Sequence, residues 1–188
     1  TNLFETRGVP GTHNLKLLSQ TIRNLKNNKF PLFLPVFDKV ADNKKKYQRK
    51  VNKVDLIILE GWCVGSKPID TNYLKKNIND LEKVEDSNLL WRTAYNKSLV
   101  EYQKVFKKFS YFVFIKIPNW KFVIDWKYKQ ELGLRSSNSD NHLKKKLYRF
   151  IQFYEKLSKW MYLTSPSYCN VLITLDKNYG FAEGYNLG

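Results

Sequence analysis

The run Val54-Asp55-Leu56-Ile57-Ile58-Leu59-Glu60-Gly61-Trp62-Cys63-Val64-Gly65 constrains the fold more than any other stretch. It is rich in apolar and β-branched residues on both alternating faces. Such a run predicts a strand buried between helices in a parallel sheet. Glu60 then stands where the strand emerges at its carboxyl end, and open α/β sheets bind ligands in the crevice there. Taken alone, the stretch fits an ordinary core strand with a solvated Glu at its tip as well as it fits a functional site.

The surrounding chain has 188 residues, 43% of them hydrophobic and 15% aromatic. That is enough to bury a core, and it reads as a single domain over residues 1–188 rather than a disordered polymer. The formal charge of +16 favours anionic partners. Yet Lys and Asn are spread over turns and exposed helix faces, and the clusters Lys44-Lys45-Lys46 and Lys144-Lys145-Lys146 are short. This spread fits a drift of composition better than a nucleic-acid footprint. Cys63 and Cys169 have no CxxC spacing, so they read as buried free thiols of a reducing, cytoplasmic setting. No apolar run approaches a membrane span, and the start shows no secretory signal pattern. The chain opens on Thr1, and residues 1–7 read as a loop entered in mid-course, with a preceding segment expected.

Taken in order, Arg7-Gly8-Val9-Pro10-Gly11-Thr12-His13-Asn14 is a loop of turn formers whose glycines let the backbone approach a ligand. Thr12 or Asn14 can cap the next helix, whose stripe is Leu15, Leu18, Ile22 and Leu25, with Asn27-Asn28 as its end. Pro31 to Lys39 is extended, and its prolines exclude a central strand. Ala41 to Lys53 is charged and reads as a loop. Asp70 to Val84 is weakly helical. Asp86 or Ser87 caps a helix through Leu90, Trp91, Ala94, Leu99, Tyr102 and Phe106, in which Trp91 and the tyrosines read as packing residues. Tyr111 to Pro118 is a second buried strand. A helix from about Asn119 to Leu134 follows, with Lys127, Glu131 and Arg135 on one face, either as a solvated ion-pair ladder or as a basic lid over phosphates. Ser136 to Asn141 is a candidate hinge. A long last helix carries Leu143, Leu147, Phe150, Ile151, Tyr154, Leu157, Trp160 and Met161. Asn170 to Asp176 is a third strand, and Phe181 to Gly188 reads as a loose tail. Strands alternating with helices give an α/β class with a mostly parallel sheet.

Three passages together, Arg7 to Asn14, Phe37-Asp38-Lys39 and Leu59 to Gly65, resemble P-loop kinases of the glycerate kinase type, relatives of pantothenate kinase, uridine kinase and phosphoribulokinase. Glu85-Asp86, Trp91-Arg92, Trp126-Lys127 through Glu131 to Arg135, Tyr154-Glu155-Lys156-Leu157 and Trp160-Met161 extend the resemblance from about Phe4 to Asp176. It implies a three-layer P-loop NTPase-like fold that lacks its N-terminal strand and phosphate loop, since residues 1–188 contain no G-x-x-x-x-G-K-[ST]. It also implies an ATP-dependent kinase acting on a small-molecule hydroxyl, D-glycerate first, with ATP and Mg²⁺ and with neither nucleic acid nor membrane as partner.

The resemblance further implies roles. Glu60 would bind Mg²⁺ through water or place the acceptor hydroxyl, and with Asp38 forms the candidate catalytic pair. Arg7, Gly11, Thr12, His13, Asn14 and Lys39 would line the acceptor pocket. There Lys39 or Arg7 would hold a carboxylate, and Asp38 or His13 would orient hydroxyls. Lys127 and Arg135 would form a phosphate lid. The chain departs from the pattern at Asn14, where Asp is usual, at Asn43-Lys44, where an Arg is usual, and at Lys127, which replaces an Arg and its bidentate fork. Two other readings compete: a basic nucleic-acid-binding module, motivated by charge and aromatics, and a non-catalytic remnant of such a kinase that no longer binds ATP.

Overall fold

The computed structural model describes residues 2–38, 43–134 and 141–187. Backbone proximity divides the chain into two compact units, Asn14–Trp62, and Thr1–His13 with Cys63–Gly188.

In the first unit, α1 (Leu15–Lys26) forms where the apolar stripe predicts it. The Leu17 N–H donates to Asn14 Oδ1 at 2.9 Å, satisfying one of the donors that a helix start leaves unpaired. Ile22, in mid-stripe, is buried. The helix stops at Asn27, and Asn28 takes a φ of 52°, a left-handed conformation that Asn tolerates. Strand β1 (Leu32–Asp38) follows and pairs antiparallel with β2 (Asn43–Val51), Leu32 lying opposite Val51 and Asp38 opposite Asn43. In this two-stranded ribbon β1 is an edge, as its prolines require.

Two expectations fail here. The loop read over Ala41 to Lys53 is, from Asn43 onward, the strand β2. Ladder hydrogen bonds outweigh the low strand preference of Lys and Asn. On an exposed edge, lysines also guard against pairing with another chain. The central strand read over Val54–Leu59 does not form. Among the described residues it joins no ladder, and Leu56 and Ile58 are 74% and 78% exposed. A buried parallel strand needs neighbours at both edges and helices on both faces, and apolar sequence supplies only the demand for them.

The second unit holds α2 (Thr71–Lys75), α3 (Leu90–Phe106), β3 (Val113–Lys116), α4 (Phe122–Leu134), α5 (Asn141–Thr164), β4 (Val171–Leu175) and β5 (Phe181–Asn186). A π-helical turn occupies Leu81–Glu85. β3 and β4 run parallel, Val113 opposite Val171, and match the second and third expected strands. β5 pairs antiparallel with β4, so the expected loose tail is a strand. Its residues are exposed, so no buried stripe announces it. Its ladder is made by backbone and by the turn at Asp176, whose Oδ1 accepts from the N–H groups of Asn178 and Gly180. Among the described residues the sheets therefore contain one parallel pairing out of three. The α/β class stands.

The core is built from α3 and α5. Trp91, Tyr95, Leu99 and Tyr102 form the buried face of α3, and Leu143, Leu147, Ile151, Leu157 and Met161 that of α5. Leu90, expected in the α3 stripe, is exposed. Gly65 sits at φ 80°, and a Cβ there would overlap the Phe112 ring, which stacks on Tyr168. Gly65→Ala combines left-handed strain with overpacking. It is expected to cost about 2–4 kcal/mol in urea unfolding; a loss below about 0.5 kcal/mol would contradict this packing.

Cys63 and Cys169 are buried free thiols, as expected. Burial pushes the Cys63 thiol up from 9.0 to about 11, which lowers its thiolate fraction about 100-fold at any pH below that range. Native protein at pH 8 is therefore expected to resist a disulfide reagent that labels both thiols at once in denaturant. Rapid native labelling of Cys63 would count against its burial.

Candidate active site

The Gly-Pro-Gly loop is held from within. Gly8 and Gly11 take φ values of 97° and 99°, which only glycine adopts without strain. The Gly8 N–H donates to Thr12 Oγ1 at 3.0 Å, and Thr12 Oγ1 donates to the Val9 carbonyl at 2.8 Å. Val9 is fully buried and anchors the turn. From outside the loop, the Tyr154 hydroxyl of α5 donates to the Arg7 carbonyl at 2.9 Å. From α3, the Tyr102 hydroxyl accepts from the Gly11 N–H at 3.0 Å and lies 2.6 Å from His13 Nδ1. Partial burial holds His13 below the usual imidazole range. The loop is thus a rigid turn, and its fold brings Gly11, Thr12 and His13 together.

Of the two readings of the Lys127 face, the structure shows the ion-pair ladder. α4 spans the expected helix, and Lys127 pairs with Glu131 at 2.9 Å and with Gln130 Oε1 at 3.0 Å. This is the ion-pair ladder read from the spacing. Trp126 leans on Tyr179 with ring centroids 4.2 Å apart and donates its indole N–H to the Lys177 carbonyl at 3.2 Å. Beside them lies an open cleft of about 600 Å³ lined by Val123, Trp126, Lys127, Lys129, Gln130 and Tyr179. Arg135 and Ser136 to Asp140 of the expected hinge lie outside the described residues, as does Lys39.

Asn14, Asp38 and Glu60 belong to the other unit. Asn14 uses its side chain to cap α1. Asp38 ends β1 and pairs across the ribbon with Lys45 at 3.7 Å. Glu60 is exposed on the irregular segment after β2. Among the described residues no cluster of three or more metal-ligating side chains occurs.

The densest charged cluster is elsewhere, and it is structural. Arg92, Glu82 and Asp86 are fully buried and Lys156 nearly so. Arg92 Nε meets Asp86 Oδ2 at 2.7 Å, Nη1 meets Glu82 Oε2 at 3.2 Å, and Nη2 donates to the Asp86 and Glu82 carbonyls at 2.8 and 3.2 Å. Lys156 Nζ lies 3.2 Å from Glu82 Oε2 and donates to the Lys76 and Tyr73 carbonyls at 2.5 and 3.2 Å. Asp86 also accepts from the Trp91 and Arg92 N–H groups, capping α3 as expected. Glu82, Asp86, Arg92 and Lys156 thus tie the Leu81–Glu85 turn to α3 and α5.

No protein-family model matches the chain. A probable ATP-dependent kinase of Saccharomyces cerevisiae is 34% identical over 114 residues, 52% of this chain and 39% of that protein. The chloroplastic D-glycerate 3-kinase of Arabidopsis thaliana is 27% identical over 183 residues, 88% of this chain and 37% of that protein. A solved D-glycerate 3-kinase from Cryptococcus neoformans matches over 98% of this chain and 70% of its own, with a TM-score of 0.76 at 21% identity. This chain shares the mixed α/β fold of that solved structure. The curated proteins that match are named as kinases, a D-glycerate 3-kinase among them. The chain spans between 37% and 57% of the curated relatives it matches. No described helix is long and apolar enough to cross a membrane.

Proposed function

We propose that this chain forms the acceptor and lid portion of an ATP-dependent kinase that phosphorylates a hydroxyl of a small molecule, D-glycerate being the first candidate. The observation that carries the reading is the match along 98% of the chain to a D-glycerate 3-kinase, with the resembling loop folded as a rigid turn. In this reading Arg7 or Lys39 holds the acceptor carboxylate, and His13, Thr12, Asn14 and Gly11 shape the pocket. Asp38 or His13 orients the hydroxyl. Lys127 exchanges Glu131 for phosphoryl oxygens when the lid closes and neutralises charge there, the role also proposed for Arg135. Glu60 holds Mg²⁺ through water or places the acceptor hydroxyl. Mg²⁺, when bound, neutralises charge on the phosphates.

Residues 1–188 contain no phosphate loop, so the test uses the product of the entire reading frame. That protein is incubated with Mg²⁺ and ATP and a panel of D-glycerate, L-glycerate, pantothenate and uridine, and products are read by mass spectrometry. Phosphorylated D-glycerate supports the reading. Transfer to another panel member keeps the kinase and changes its acceptor. A folded protein that neither binds ATP nor transfers phosphate is the non-catalytic remnant.

A further inference from the structure

We propose that Tyr102 is a positioning residue that holds His13 as its neutral Nε2–H tautomer, so that the Gly-Pro-Gly loop presents an imidazole N–H donor to an oxygen-rich acceptor. The inference rests on the acceptor-loop reading above only for what the donor meets. The tautomer follows from donor and acceptor counting. A backbone N–H can only donate, so the Gly11 N–H at 3.0 Å occupies a lone pair of Tyr102 Oη. The phenol then has its own O–H to place, and the side-chain acceptor beside it is His13 Nδ1 at 2.6 Å. If Nδ1 carried the proton, its N–H and that of Gly11 would converge on one phenol oxygen, and the O–H would have no acceptor among the described residues. With Nδ1 bare, every group is satisfied: Gly11 donates to Tyr102, and Tyr102 donates to His13. The proton of the neutral ring is then on Nε2.

Placement agrees with this count. Tyr102 is buried on α3, whereas His13 is exposed. The two rings meet edge to face at 77°, which fixes the imidazole plane. Nδ1 therefore faces the protein, and Nε2, across the ring, is the nitrogen left for a ligand. Desolvation by partial burial favours the neutral ring, which supports a fixed donor rather than a cation. Tyr102 sits in an apolar stripe, where its ring accounts for packing. Its hydroxyl is the part that packing leaves unexplained.

The test is long-range ¹H–¹⁵N NMR on the histidine-labelled 188-residue chain at pH 7.5. The chain has only two histidines, and His13→Gln identifies the signals of His13 by their loss. The expected wild-type result is a protonated Nε2 and a bare Nδ1. Tyr102→Phe, which keeps the ring, is expected to move His13 towards a mixture of tautomers. A protonated Nδ1 in the wild type overturns the proposal without any variant having to fold, and so does an unchanged tautomer in a folded Tyr102→Phe. In the transfer assay, Tyr102→Phe should raise KM for the acceptor about tenfold with KM for ATP unchanged. An unchanged acceptor KM overturns the ligand contact. Absence of transfer by the wild type overturns the kinase reading, and the NMR result then decides the tautomer by itself.

Discussion

Replacing Arg92 with alanine is expected to cost about 3–5 kcal/mol, the range for breaking a buried ion pair on one side. Against a usual domain stability of about 5–15 kcal/mol, that removes from about a fifth to all of it. The cost comes from what stays behind. Asp86 and Glu82 are fully buried; Asp86 would lose the cation that meets it, Glu82 would keep only Lys156, and the Asp86 and Glu82 carbonyls would lose their Arg92 donors. Taking charges out of water is itself unfavourable here. Burial pushes the Glu82 carboxyl up and the Lys156 ammonium down, each towards its neutral form. By linkage, Glu82 contributes stability below its ordinary value that is lost as pH rises through its raised one. Lys156 contributes stability above its ordinary value that is lost as pH falls through its lowered one. The network therefore specifies one packing of α3, α5 and the turn between them more than it adds net stability, and the penalty lies in breaking it. Arg92→Lys keeps the charge but loses the fork, so it should recover only part of the loss. Urea unfolding followed by circular dichroism measures both variants. A loss below about 1 kcal/mol for Arg92→Ala would show that water or rearrangement satisfies the cluster.

Glu60→Gln should have the opposite signature. Glu60 is exposed, so the change is expected to leave stability within about 0.5 kcal/mol. In the proposed kinase it removes the charged oxygen that Mg²⁺ or the acceptor hydroxyl requires, while the shape stays the same. Turnover should fall at least about 100-fold, the lower end for losing a positioned acid–base or charge-bearing group. The pair of measurements separates the two proposed roles, folding for Arg92 and chemistry for Glu60. Unchanged turnover in Glu60→Gln would remove the assigned role.

Most of the second unit was legible in the sequence because its signals are local. The stripe of α5, the β-branched runs of β3 and β4, and Asp86 ahead of α3 each encode burial or capping in a few consecutive residues. The failures share a physical cause. β2 and β5 are exposed strands stabilised by backbone pairing and turns, which leave no stripe to read. Val54–Leu59 has a strand's composition, but ladder partners are not a property of the run itself. Within the site, the spacing of Lys127 and Glu131 predicted their ion pair. The roles of Arg92 and Tyr102 were hidden because both lie on the buried face of α3, where sequence periodicity reports burial and is blind to which polar atoms meet. A tyrosine in an apolar stripe was the available clue, since its hydroxyl must find partners.

The central claim is that this fold serves phosphoryl transfer to a small acceptor. Its most direct test is the appearance of phosphorylated D-glycerate when the protein from the entire reading frame is supplied with ATP, with and without Mg²⁺, beside its Glu60→Gln variant. The expected result is product that requires Mg²⁺ and falls at least about 100-fold in the variant. A folded wild-type protein that leaves ATP and every acceptor of the panel unchanged would contradict it.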